Sequence, residues 1–195
     1  MQNDEILRYK TMLSRSAELK LALMSYAKEV LAIVDICEKA LRGGGKLIFC
    51  GNGGSAADAQ HLATELVIRL RGAVARPSWP AITLALDTSA VTAAVNDFGI
   101  DEMFARPLRG LGQAGDVLFG ITTSGKSANI LGALKTAREM GIAAIGLLGG
   151  DGGRALPLCD HAVVVPEHDT ARVQECHITL GHVILTLLED RMISV

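Results

Sequence analysis

An alternation of short aliphatic runs with stretches of helical spacing constrains the fold of this chain more than any other feature. Residues 46–50 (KLIFC), 81–86, 117–121, 143–148 and 162–165 read as five buried strands, and helical patterns occupy 55–71, 127–140 and 170–192. Strands that alternate with helices pair in parallel and are covered by helices on both faces. Hydrophobic residues make up 49% of the chain but aromatic ones only 4%. Ala, Val, Ile and Leu must therefore fill the core, as suits a sheet buried on both faces. At 195 residues the chain is long enough for one sizeable core. Pro77, Ser78 and Pro80 mark a loop before the second strand, not a domain boundary, so a single domain over 1–195 is expected.

The first forty-odd residues stand outside this alternation. Leu23, Tyr26, Ala27, Val30, Ile33, Val34, Cys37, Ala40 and Leu41 recur at helical spacing and predict a helix with one apolar stripe. Gly43, Gly44 and Gly45 stop it, because glycine readily takes the left-handed conformation that ends helices. The stripe must bury against something, and residues 1–42 are expected to pack against another subunit.

The 19 basic and 21 acidic residues are dispersed and give a net charge of −2, which argues against nucleic-acid or membrane-surface binding. The amino terminus lacks a secretory pattern, and no apolar run reaches the ~18 residues of a membrane span. Cys37, Cys50, Cys159 and Cys176 form no CxxC pair and read as reduced, buried thiols. A cytoplasmic location is expected.

In such a sheet, ligands bind beyond the carboxyl ends of the strands. The loop Thr122-Thr123-Ser124-Gly125-Lys126-Ser127 follows a strand and opens a helix. Its hydroxyls and backbone N–H groups suit a phosphate, although a simple serine cap would give the same residues at the turn. It lacks the GxxxxGK[ST] pattern, so a nucleotide triphosphate is not implied. Asn52, Gly53, Gly54 and Ser55 occupy the equivalent place after the first strand, where glycines allow close backbone approach and Asn52 offers groups to sugar hydroxyls. Ser55 also suits a helix cap, and a tight turn explains the glycines equally well.

His61 and Glu65 lie one helical turn apart, a spacing that serves a divalent metal, an acid/base pair or an ordinary surface contact. The last helix carries Asp169, Gln174, Glu175, His177 and His182. Gln174 and His182 are separated by about 12 Å of helix. They reach one metal only at full stretch, which favours a site shared between subunits.

Together, CGNGGSAADAQH at 50–61, Glu65, LDTSAVTAAVNDFG at 86–99, GDVLFGITTSGKSANIL at 115–131 and DTARVQECHITLGH at 169–182 resemble the sugar isomerase (SIS) domain family, and within it the phosphoheptose isomerases. The resemblance implies a single SIS domain of three-layer, flavodoxin-like or Rossmann-like form with a long amino-terminal helix used in oligomerisation. It implies an aldose–ketose isomerase that converts sedoheptulose 7-phosphate to a manno-heptose 7-phosphate through a cis-enediol, for bacterial lipopolysaccharide or capsule. A homotetramer with sites between subunits and one Zn2+ per subunit are also implied. By the same resemblance, zinc contacts fall on His61, Glu65, Gln174 and His182, and Glu65 and His182 move the protons. Substrate contacts fall on Asn52, Gly53, Gly54, Ser55, Glu65, Asn96, Asp97, Thr122, Thr123, Ser124, Ser127 and Gln174. Asp97 or Asp169 is a candidate for assisting ring opening.

Two departures from the family's commonest wording are small. Thr122 replaces a frequent serine and keeps the hydroxyl, and Lys126 stands where asparagine is common. The main rival is a non-catalytic relative that binds the bacterial replication initiator, but that branch lacks the full His/Glu/Gln/His set present here. An isomerase for pentose or amino-sugar phosphates is a third reading. A phosphosugar-sensing regulator would need an added DNA-binding domain, for which 195 residues leave no room.

Overall fold

A computed structural model describes residues 2–85 and 87–194. Five strands, β1 (Leu47–Gly51), β2 (Ala81–Thr83), β3 (Val117–Thr122), β4 (Ala143–Gly149) and β5 (His161–Val165), form one parallel sheet in the order β2-β1-β3-β4-β5. Among the described residues seven α-helices accompany them: α1 (Gln2–Ala22), α2 (Ala27–Arg42), α3 (Gly54–Val67), α4 (Thr88–Phe98), α5 (Glu102–Leu111), α6 (Ala128–Glu139) and α7 (Thr170–Ile193).

Although the strands are buried throughout, their side chains still alternate between two cores. Leu47, Phe49, Val117, Phe119 and Ile121 face Ile33, Leu62, Leu66, Val173 and Ile184 from α2, α3 and α7. Ile48, Cys50 and Leu118 face Phe104, Leu108, Ile130 and Leu134 from α5 and α6. Phe49 and Phe119 stack at 5.0 Å on adjacent strands. Each fully buried side chain of this size contributes roughly 1.5–3 kcal/mol, so the aliphatic composition suffices for a three-layer fold.

The structure departs from the sequence reading in four places. The amino-terminal segment is two helices, α1 and α2, joined by a 3-10 turn at Leu23–Tyr26. Part of its stripe is buried within the chain, with Ile33, Val34 and Cys37 fully covered by their own subunit, whereas Ala27 is exposed. Strand β2 ends at Thr83, whose hydroxyl accepts from the Ala85 amide and bends the chain away; Leu86 lies outside the described residues. Helices α4 and α5 occupy a stretch in which the sequence reading assigned no element. In α4 only Ala94 is buried, so no apolar stripe announces it, and α5 carries Pro107 inside the helix.

Helix α3 stops at Val67, before the expected Arg71. The carbonyls of Glu65, Leu66 and Val67 would accept from residues 69–71 if the helix continued. Instead Arg76 donates to the Glu65 and Leu66 carbonyls, Trp79 to Leu66 and Ser78 to Val67. The returning loop takes the acceptors the helix needs.

Candidate active site

The strand order reverses direction between β1 and β3, and in sheets of this class a crevice opens at such a point beyond the carboxyl ends. There a pocket of about 250 Å³ is lined by Asn52, Gly53, Gly54 and Ser55 after β1, Thr122, Thr123 and Ser127 after β3, and Thr170 and Gln174 at the start of α7. A larger cleft of about 450 Å³, with Lys39, Gln113 and Asp116 in its wall, lies at the opposite, amino-terminal strand ends. Strand polarity favours the smaller one.

Ser127 occupies the cap position of α6, yet its hydroxyl makes no cap bond. It lies 3.3 Å from the Thr122 hydroxyl, which is itself nearly buried. The simple-cap reading of this loop therefore fails, and the amide dipoles at the α6 amino terminus face a cluster of hydroxyls, a ready anion site. Gly125 has φ of 62°, and a Cβ there would sit 2.1 Å from the Gly152 carbonyl oxygen, so the loop rests directly on the loop after β4. Ser55 is not the cap of α3 either: Gly53, at φ of 56°, holds that position.

Asn52 and Asn129 exchange two amide hydrogen bonds, of 2.9 and 2.7 Å, across the floor between β1 and β3. Asn129 is 3% exposed and its oxygen also accepts from the Ile130 amide. The sequence reading missed it; its only signal is a polar residue at an otherwise apolar position of α6.

Helices α3 and α7 run side by side in the same direction, and their contacts form rungs. At the pocket, a Cβ on Gly54 would lie 2.6 Å from the Gln174 amide nitrogen. Farther along, Gly181 makes room for Leu62, and beside that contact His61 and His182 approach with Nε2 atoms 2.9 Å apart. Glu65 Oε1 lies 3.2 Å from the same His61 nitrogen. Ligand atoms of His61, Glu65 and His182 all fall within 4.8 Å of one another. Glu65 Oε2 is buried without a hydrogen-bond partner among the described residues. Two imidazole nitrogens and a carboxylate converging on one point, with a carboxylate oxygen left unpaired, fit a divalent cation by donor type and spacing.

Asp58, one turn before His61, has a buried Oδ2 without a partner among the described residues. Burial raises its carboxyl above the ordinary range, while His61 and His182 pull the other way.

The SIS domain family model matches residues 14–149. Over 179 residues the chain is 52% identical to the phosphoheptose isomerase of Chlorobaculum parvum, spanning 91% of this chain and 86% of that one. This chain belongs to the phosphoheptose isomerases. The phosphoheptose isomerase structure from Neisseria gonorrhoeae superposes with a TM-score of 0.87 at 38% identity, covering 94% of this chain and 97% of that one. The one from Francisella tularensis gives 0.89 at 31% identity, covering 97% and 99%.

A phosphoheptose isomerase is an aldose–ketose isomerase, and the candidate residues fall into distinct groups. The pocket gathers Asn52, Gly53, Gly54, Ser55, Thr122, Thr123, Ser127 and Gln174. Ser124 stands at its rim, exposed, with its oxygen accepting from the Lys126 amide. His61, Glu65 and His182 meet within a single chain, so no second subunit is needed to unite those three. Asn96 and Asp97 lie outside the pocket lining, exposed on α4 and hydrogen-bonded to each other at 2.7 Å. Asp169 caps α7 by accepting from the Ala171 amide. Glu175 is held by the Ser16 hydroxyl at 2.6 Å and by Arg172. His177 points into the core: it is fully buried, and neither ring nitrogen has a well-aligned hydrogen bond among the described residues.

Proposed function

We propose that this enzyme interconverts sedoheptulose 7-phosphate and D-glycero-D-manno-heptose 7-phosphate in the cytoplasm, supplying heptose for lipopolysaccharide or capsule. The observation that carries the reading is the convergence of Glu65, His61 and His182 on parallel helices that begin at a hydroxyl-lined, phosphate-sized pocket. The 7-phosphate sits on the hydroxyls of Thr122, Thr123, Ser124 and Ser127 at the α6 amino terminus, where the helix dipole favours an anion. Asn52, Gly53, Gly54, Ser55 and Gln174 orient the chain of sugar hydroxyls, and Asn96 and Asp97 join them from α4.

Glu65 takes the proton from carbon 1 of the ketose. The C–H electron pair becomes the carbon 1–carbon 2 double bond, and the carbonyl oxygen on carbon 2 gains a proton, giving the cis-enediol. Glu65 then returns its proton to carbon 2 as the hydroxyl on carbon 1 loses its own and becomes the aldehyde. His182 moves the proton between the two oxygens. Of the two oxygens of Glu65, Oε1 faces His61 and Oε2 is buried without a partner among the described residues.

His61, Glu65 and His182 of one chain, with Gln174 contributed from the pocket of a neighbouring chain, would hold one zinc ion, which when bound would stabilise negative charge on the enediolate oxygens. The pocket and the His61–His182 pair are separated by two turns of α3 and α7, about 10 Å. That offset supports a homotetramer in which a site combines the pocket of one subunit with groups from a neighbour, residues 1–42 forming part of the contact.

Turnover of sedoheptulose 7-phosphate followed by NMR tests the reading. Glu65→Gln is expected to lose turnover by a factor of about 10³ or more while substrate still binds. Full residual activity in that variant removes Glu65 from the proton-transfer role.

A further inference from the structure

Below the His61–His182 rung, α3 and α7 are joined once more, by buried charge. Arg76 donates from Nε to Glu189 Oε1 at 2.6 Å, from Nη2 to the Glu65 carbonyl at 2.6 Å, and from Nη1 to the Leu66 and Pro77 carbonyls at 2.9 Å each. Its side chain is 2% exposed and that of Glu189 1%. The guanidinium lies 4.1 Å from the centre of the Trp79 ring. Glu189 receives a second bond through its other oxygen, from Arg71 Nε, and Arg71 also holds Asp190.

We infer that the Arg76–Glu189 pair is a positioning device for the metal and proton-transfer cluster, fixing the axial register of α3 against α7 at which His61, Glu65 and His182 meet. The inference rests on the function proposed above. Glu189 follows His182 by seven residues, two turns along the same face of α7. Arg76 grips the main chain of Glu65 itself, and so ties that residue to α7 without touching its carboxylate. The glycine contacts at Gly54 and Gly181 let the helices approach, and Leu62 seated at Gly181 limits their sliding, but neither contact holds the main chain of Glu65. A slide of one residue moves a helix by about 1.5 Å and turns its side chains by about 100°. Such a slide would separate the two imidazoles and break four directional bonds at Arg76. Buried ion pairs often contribute little net stability compared with apolar residues of similar volume, so a geometric role is the better account of two charges kept in this core.

The test uses the full-length chain in three variants: Arg76→Lys, which keeps charge but loses the fork; Glu189→Gln, which keeps shape but loses charge; and the apolar pair Arg76→Met with Glu189→Leu, which leaves no unpaired charge buried. Folding is checked by circular dichroism, zinc affinity by titration with zinc alone, and kcat and KM with sedoheptulose 7-phosphate. In the folded variants zinc affinity and kcat are each expected to fall by about tenfold or more, with KM changed by less than about threefold because the phosphate pocket lies two turns away. A folded double variant with zinc affinity and kcat within about twofold of the parent would overturn the inference and make the pair a stabiliser only. A parent chain that turns over no sedoheptulose 7-phosphate would instead overturn the isomerase reading, and the zinc titration would still decide the role of the pair.

Discussion

At the scale of single residues, chemistry and packing are separable only with coordinates, and the two kinds of histidine illustrate it. His61, His177 and His182 are equivalent in sequence, all on helices that lead from the pocket. Helical spacing pairs His61 with Glu65, but nothing in the sequence states that His182 arrives within 2.9 Å of His61. Nor does it state that His177, five residues earlier, turns inward to complete burial. That burial has a thermodynamic signature. Desolvation pushes the His177 imidazole from 6.5 down to about 4, the Leu148 main chain offsetting only part of the effect. The folded state thus binds this proton less readily than the unfolded chain. The associated stability is fully present above pH 6.5 and is lost progressively as pH falls to about 4, where the group protonates in the folded state as well. The loss amounts to roughly 3 kcal/mol over that window. Glu167, held down to about 2 by the backbone amides of Asp169 and His168 and by Arg15, acts in a lower window, between its ordinary 4.5 and about 2. Thermal melts at pH 7.5 and pH 5 on the parent and on His177→Leu check this: the variant is expected to lose markedly less stability on acidification, whereas parallel losses would exclude His177 as the titrating group.

At the scale of elements, the strands were legible because buried aliphatic runs bounded by glycine leave few alternatives. The start of every strand-following helix near the pocket was legible too, since the glycine and hydroxyl loops punctuate the chain. Helix ends and marginal helices were not. The stop of α3 depends on Arg76, Ser78 and Trp79 returning from ten residues downstream, and α4 buries little but Ala94. The abutment of α3 on α7 was invisible for a related reason: Gly54 reads as a turn glycine, yet its missing side chain is where the Gln174 amide rests. Gly54→Ala should therefore leave the fold intact, because the far end of a flexible side chain can move aside. If Gln174 orients substrate as proposed, its displacement is expected to lower kcat/KM by about tenfold or more with the melting temperature nearly unchanged. A variant with parental kcat/KM would show that Gln174 has no positional role.

At the scale of the whole molecule, strand order and the reversal point follow from the alternation once β1 and β3 are known to be neighbours, whereas the surroundings of the subunit do not. The sequence assigned the stripe of α2 to a partner; much of it covers β1, β3 and α7 of the same chain. What stays open is the amino-terminal end of that stripe: Leu23, Ala27 and Val30, with Met24, Leu31, Val183 and Leu187, line an apolar groove of about 330 Å³ where the amino-terminal helices meet α7. Met24 is 73% exposed and Leu31 and Val183 each 44%, a concentration of large apolar side chains that a lone subunit rarely presents to water. Helix α7 lines this groove and also carries Gln174 and His182, so an assembly formed on this face would involve the element that bears two of the candidate site residues. Replacing Met24 and Leu31 together by Asp buries two unpaired carboxylates in any contact formed there, a cost of several kcal/mol per charge. Light scattering is expected to show a smaller species than the parent, and turnover is expected to fall by about tenfold or more even though neither residue approaches the pocket. A doubly substituted chain of parental mass would place the subunit contact elsewhere, and one of reduced mass with parental turnover would confine the complete site to a single subunit.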